Sequence, residues 1–254
     1  MNQSWNAEKY SSDFSFVHEY GNDVIGLIDA AHVHSILDLG SGNGALTKAL
    51  ADRGFSVTGM DASGEMLEEA RRNYPHISFV QADATDFTLD SPVDVVFSNA
   101  VFHWINRERQ PDMMKCVYRS LRDTGQFVFE MGGLGNNTLI HAALSEIFME
   151  HGYTYKMPFY FPSIGEYSTL LEAAGFKVRY ATLFNRFTPL KGEDGLADWI
   201  KMFLSNPFSI VPEYEREKII SQAVQSLKKE LFKDSVWYSD YVRLRMRAVK
   251  EAAV

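Results

Sequence analysis

The chain has 254 residues, of which 46% are hydrophobic and 23% charged, so it suits one large globular domain and not a disordered chain. A formal net charge of -8 disfavours a nucleic-acid partner, whose binders carry basic patches or stripes. A single cysteine, Cys116, excludes an intrachain disulfide, and its apolar helical setting reads as core.

The N-terminus is polar, and no uninterrupted apolar run follows it. Neither a signal peptide nor a membrane segment is expected, and the expected location is cytoplasmic. The seven histidines show no ligand spacing and one cysteine cannot build a thiolate site, so no metal is expected.

The first half alternates strand and helix. Residues 34–39 read as a buried strand ending at Gly40, and 42–52 as a helix with Leu46, Ala49 and Leu50 on one face. A second strand covers 55–60. Ser63 is the N-cap expected for a helix that carries Met66, Leu67 and Ala70 and stops before Pro75. Strands follow at 77–80 and 93–98. A helix over 112–121 has Pro111 at its first turn, and the turn Asp123-Thr124-Gly125 leads into a strand at 126–131.

This alternation predicts an α/β fold, a doubly wound and mostly parallel sheet of seven strands. Further on, helices are expected near 139–151 and over 163–174, the latter ended by Gly175. A sixth strand covers 177–184, and helices cover 192–204 and 212–232. Val242, Leu244, Met246 and Ala248 alternate with Arg243, Arg245 and Arg247. Period two predicts a seventh strand with one wetter face, a helix being the alternative. Residues 187–237 are then a helical insertion in a single domain, read as a cap over an acceptor pocket or as an oligomer interface.

The densest chemical signal is Ile36-Leu37-Asp38-Leu39-Gly40-Ser41-Gly42-Asn43-Gly44. A strand enters a glycine turn that opens a helix, where positive φ and close ligand approach are available. Amide groups at such a helix start can face a ligand carboxylate or phosphate. Gly40-x-Gly42-x-x-Ala45 also satisfies a loose dinucleotide fingerprint, with Asp61 at the expected distance to accept both hydroxyls of a ribose. The alternative for Asp61 is a helix-start acid beside Ser63.

Three features favour an amino-acid nucleoside over a dinucleotide. Asp38 in the strand end repels a pyrophosphate and suits an ammonium group. Asp83 in Gln81-Ala82-Asp83-Ala84 is placed to accept from an adenine amino group, with Ala84 leaving room for the ring. Ser98-Asn99-Ala100 ends the fourth strand beside the same crevice.

These segments resemble the class I S-adenosylmethionine-dependent methyltransferases, in the broad group that includes trans-aconitate methyltransferase. The resemblance is carried by residues 36–44, by Gly-Met-Asp-Ala-Ser at 59–63, by Gln-Ala-Asp-Ala at 81–84 and by Phe-Ser-Asn-Ala-Val-Phe-His-Trp at 97–104. It implies S-adenosylmethionine as cofactor and S-adenosylhomocysteine as product. It places Gly40, Ser41 and Gly42 beside the methionine carboxylate, Asp61 and Ala62 at the ribose, Met66, Asp83 and Ala84 around the adenine, and Asn99 near the methionine part. Trp5-Asn6-x-x-x-Tyr10 looks like an N-terminal lid, in which Tyr10 closes over the cofactor or simply packs the first helix. The resemblance also implies an antiparallel seventh strand. Glu130-Met131-Gly132-Gly133-Leu134-Gly135-Asn136 departs from the trans-aconitate pattern, so the acceptor is left open there.

The expected acceptor is a small molecule. His103, just after the fourth strand, is the candidate general base, with a structural role as the alternative. His18 is a weaker candidate at the acceptor. Phe102, Trp104 and Tyr160 are candidate pocket residues, or core, and Arg186 either neutralises an acidic acceptor or is simply a solvated arginine near a strand end. The oligomeric state is not legible. Two other readings stay open: an NAD-dependent oxidoreductase, and a cofactor-binding regulatory protein without turnover.

Overall fold

The computed structural model describes residues 16–252. Its helices are α1 (Phe16–Ile25), α2 (Ala45–Ala51), α3 (Gly64–Asn73), α4 (Gln110–Ser120), α5 (Thr138–Glu150), α6 (Ile164–Ala173), α7 (Gly195–Phe203) and α8 (Glu213–Leu231). Its strands are β1 (Ser35–Leu39), β2 (Ser56–Asp61), β3 (Ser78–Gln81), β4 (Val93–Asn99), β5 (Leu121–Gly132), β6 (Phe176–Leu190), β7 (Phe232–Lys233) and β8 (Val236–Lys250).

The sheet order is β3-β2-β1-β4-β5-β8-β6, with the two-residue β7 paired to β8. From β3 to β5 every neighbouring pair is parallel. β8 is antiparallel to both β5 and β6. The predicted seven strands are therefore present, with β7 as a short addition. The chain reverses its direction of growth between β1 and β4, and the crevice beyond their carboxyl ends is where open α/β sheets bind ligands.

Both faces of the sheet are covered. Ile36, Val95, Phe97 and Val128 pack on Val24, Ile25, Leu46 and Leu50 from α1 and α2. Leu37, Leu39, Val96, Phe127, Phe129 and Met131 pack on Met113, Met114, Val117, Tyr167 and Leu171 from α4 and α6. Burial on both faces explains why the strands read as apolar runs. Cys116 belongs to the second of these layers.

β5 starts at Leu121, so the predicted turn at 123–125 is an irregularity within the strand, and three other elements differ from their predicted bounds for identifiable reasons. α2 starts at Ala45 because Gly40, Gly42 and Gly44 all take positive φ, at 79, 54 and 83°. β6 runs to Leu190, past the polar Asn185 and Pro189, because it is the edge strand and an edge tolerates proline. β8 starts at Val236, and with both strands lengthened the helices between them occupy 191–235.

As period two suggested, the arginine face of β8 is the wetter one, since Leu244, Met246 and Ala248 are fully buried, but it is not an outer face. β8 lies inside the sheet between β5 and β6, and Arg243 is 8% exposed. A second core joins α5, α7 and α8, through Ile140, Leu144, Phe148, Trp199, Ile200, Phe203, Ile219 and Leu227.

Candidate active site

A continuous cavity of about 810 Å³ opens over the carboxyl ends of the parallel strands. Of the sequence-predicted residues, Asp38, Gly40, Ser41, Gly42, Asp61, Ala62, Met66, Asp83, Ala84, Asn99, His103 and Trp104 all line it. Phe102 does not. It is fully buried in the core against Phe127 and Phe129, because its ring turns beneath the sheet end. Tyr160 also packs against that core rather than lining the cavity, and its amide donates to the His103 carbonyl. Tyr10 lies outside the described residues, as does the side chain of His18 on α1.

One end of the cavity is acidic. Asp38 is buried, and its Oδ2 accepts from the Thr47 hydroxyl on α2 at 2.7 Å. Burial pushes its carboxyl up to about 7 in spite of that bond, and Asp61 adds to the rise. Burial also raises Asp61, against the pull of the backbone amides that it accepts. Those include Ser63 N–H on Oδ1 at 2.8 Å and Gly42 N–H on Oδ2 at 2.9 Å. Asp83 is held below the usual carboxylate range by the hydroxyl and amide of Thr85.

The glycine turn does not present its first amides to a ligand, as expected from sequence. Gly40 and Ser41 donate to the Met60 carbonyl, at 2.7 and 3.0 Å, and Gly42 donates to Asp61. The end of β2 lies against the turn and takes these donors. What the turn leaves over is the Ser41 hydroxyl, buried and without a hydrogen-bond partner. Gly40 is required there twice, by its φ of +79° and because a Cβ would sit 2.2 Å from Val101. The neighbouring Ala100 also holds a left-handed φ, of 62°. Backbone held in this way is frequent at ligand sites.

The opposite end is basic and aromatic. Glu130 of β5 is 1% exposed and accepts from three arginines. Arg186 of β6 uses both terminal nitrogens, at 2.7 and 2.9 Å. Arg245 of β8 reaches Oε2 at 2.7 Å, and Arg243 of β8 reaches Oε1 through Nε alone, at 3.1 Å. Burial opposes ionisation of Glu130, but the guanidinium groups outweigh it and hold the carboxyl below its usual range. The two terminal nitrogens of Arg243 make no hydrogen bond to a described residue, and this side chain lines the cavity.

A wall of rings joins the two ends. Trp104 stands edge-on to Phe159 at 4.7 Å, and Phe203 lies between Trp104 and Trp199. The Trp199 indole donates to the Tyr241 hydroxyl at 2.6 Å, and Arg243 lies over the Tyr241 ring. Of these residues only Trp104 was a pocket candidate in the sequence. Glu130 and Arg243 were missed as site residues; the signal was a lone acid in an apolar strand, which must find a buried partner.

The acid, hydroxyl and glycine set fits an amino-acid nucleoside and opposes a pyrophosphate, because three carboxylates line that end of the cavity. The methyltransferase domain family matches residues 36–125. An uncharacterized methyltransferase of Schizosaccharomyces pombe is 33% identical over 260 residues, covering 97% of this chain and 98% of the other. A trans-aconitate 2-methyltransferase of Rhizobium etli is 26% identical over 239 residues, covering 89% and 90%. An S-adenosylmethionine-dependent methyltransferase structure from Mesorhizobium loti superposes with a TM-score of 0.54 at 17% identity, covering 91% of this chain and 97% of that one. The nicotinamide reading of the glycine turn therefore falls, and the chain belongs to the class I S-adenosylmethionine-dependent methyltransferases.

Proposed function

We propose that the protein methylates a carboxylate of a small organic acid. The observation that carries this reading is the Arg243 fork in the cavity wall, whose terminal nitrogens bond no described residue. Three arginines surround one carboxylate, so this end holds an excess of two positive charges when all four groups are ionised. A buried guanidinium with unengaged nitrogens is suited to a planar oxyanion, which it can meet with paired hydrogen bonds. The relatives named for trans-aconitate act on an acid, which supports the same class of acceptor. Arg186 has a different part from the one its sequence position suggested, since both of its terminal nitrogens hold Glu130.

At the other end Asp38 meets the cofactor's ammonium group, the Ser41 hydroxyl its carboxylate, and Asp61 its ribose. Met66, Asp83 and Ala84 bound the adenine, with Asn99 toward the reacting end. The cofactor supplies an electrophilic methyl on sulfur: as the acceptor oxygen bonds that carbon, the carbon–sulfur pair stays on sulfur. A carboxylate is already ionised at neutral pH, so the protein's work is to orient it and exclude water. Helices α7 and α8 between β6 and β8 act as the cap, since Trp199 and Phe203 bring the aromatic wall from that insertion.

The test is product identification. Protein, S-adenosylmethionine and a panel of small carboxylic acids, phenols and amines are incubated, and products are read by mass spectrometry. Methyl esters from acids support the reading. Methylation confined to phenols or amines would overturn it.

A further inference from the structure

His103 was the sequence candidate for a general base, and its hydrogen bonding argues for another part. The ring is buried in the middle of the three-residue turn Phe102–Trp104, with Phe159 and Phe161 at 5.8 and 6.0 Å. The Gly132 amide at the end of β5 donates to Nδ1 at 3.3 Å. That bond needs a lone pair on Nδ1, so the proton of the neutral ring sits on Nε2. Nε2 has no hydrogen-bond partner among the described residues, and it is not among the sealed polar atoms of the interior. The residue lines the cavity, and Nε2, unsealed and unbonded to any described residue, is the ring nitrogen left to face it.

A second proton would place an N–H on Nδ1 against the Gly132 N–H and break the bond. The charged group facing the ring is Arg243, itself paired with Glu130. Burial and that like charge both hold the imidazole well below its ordinary titration range. A group in this state has its cavity-facing nitrogen already protonated, so it can donate there and cannot take a proton there.

We infer that His103 is a fixed hydrogen-bond donor that, together with Arg243, holds one oxygen of the acceptor carboxylate and leaves the other free to attack. This rests on the acid-acceptor reading, in which no proton has to leave the nucleophile. It makes His103 a selector for acceptors already deprotonated in solution.

The tautomer is tested without any acceptor. Long-range proton–nitrogen correlation spectra of histidine-labelled protein with S-adenosylhomocysteine are recorded from about pH 5.5 to 8. His103→Gln assigns the signal by its disappearance. The expected result is the Nε2–H tautomer throughout, without titration. A proton on Nδ1, or titration inside that window, overturns the inference whatever the acceptor is.

Kinetics then test the role. With an acid acceptor, kcat/KM of the unaltered enzyme should show no acidic limb from a histidine. His103→Gln, which keeps a donor and cannot act as a base, should retain most of kcat. His103→Ala should lose about tenfold in kcat/KM, chiefly through KM. A Gln variant as inactive as the Ala variant, with an acidic limb in the parent enzyme, would mark His103 as a base. Spectra as expected without turnover of any acid would instead fault the acceptor class.

Discussion

Arg243 lines the cavity and meets Glu130 with Nε at 3.1 Å, while its two terminal nitrogens bond no other described residue. The residues are 113 positions apart in sequence and adjacent only through the pairing of β5 with β8, where Gly132 lies opposite Arg243. Glu130 thereby holds three cations in a place where none would be stable alone, and it aims the one that remains partly free.

Removal of this carboxylate should be costly. Glu130→Gln leaves three guanidinium groups, each 10–13% exposed, without their anion. Breaking a buried pair in this manner costs roughly 3–5 kcal/mol. Urea unfolding of the variant should show a loss of that order. Because the Glu130 carboxyl is held below its usual range, its stabilisation is present above that range and fades as pH falls through the lowered value. The variant should therefore lose part of the parent protein's sensitivity to acid.

Asp38 has the opposite sign. Its carboxyl sits at about 7, so ionising it in the empty fold costs stability as pH rises from the ordinary carboxylate range toward 7. Binding an ammonium group there favours the ionised form. S-adenosylhomocysteine should bind more tightly as pH rises from about 6 to 8, with release of a proton below pH 7. Calorimetry in buffers of different ionisation enthalpy reads that proton. Asp38→Asn should weaken binding by about tenfold or more and remove the proton signal.

Gly40→Ala places a side chain at φ +79° and at 2.2 Å from Val101. The backbone alone costs about 1–2 kcal/mol, and the clash adds to it. The variant should melt lower and bind S-adenosylhomocysteine more weakly. An unchanged melting temperature would mean that the turn relaxes freely.

Trp199→Phe keeps most of the buried ring but removes the donor to Tyr241, which lies 2.6 Å away. The effect should fall on the acceptor: KM rises several-fold, in line with the net worth of one hydrogen bond, about 0.5–1.5 kcal/mol, while S-adenosylhomocysteine affinity stays the same. Steady-state kinetics and calorimetry separate the two.

The cofactor end was legible in the sequence because it is built locally. Asp38, the glycine turn and Asp61 lie within one strand–helix–strand unit, and their spacing carries their geometry. Ser41 keeps its place there, although its amide goes to Met60 rather than to a ligand. The acceptor end was legible only in part. Trp104 could be named, but Phe102 and Tyr160 turned into the core, because the direction of a ring in a short turn is not set by period. The arginine face of β8 read correctly as the wetter one, but alternation cannot say whether a strand lies at an edge or inside a sheet. The partner that covers it, Glu130, follows only from the order β5-β8-β6.

The most direct test of an anionic acceptor at Arg243 is the kinetics of Arg243→Gln. Arg186 and Arg245 still hold Glu130 in this variant, so the fold should survive. KM for the acid acceptor should rise by about 10- to 100-fold, as expected for loss of a charged hydrogen-bonding partner, with S-adenosylhomocysteine affinity unchanged. An unchanged KM for the acid in a folded, cofactor-binding variant would contradict the account.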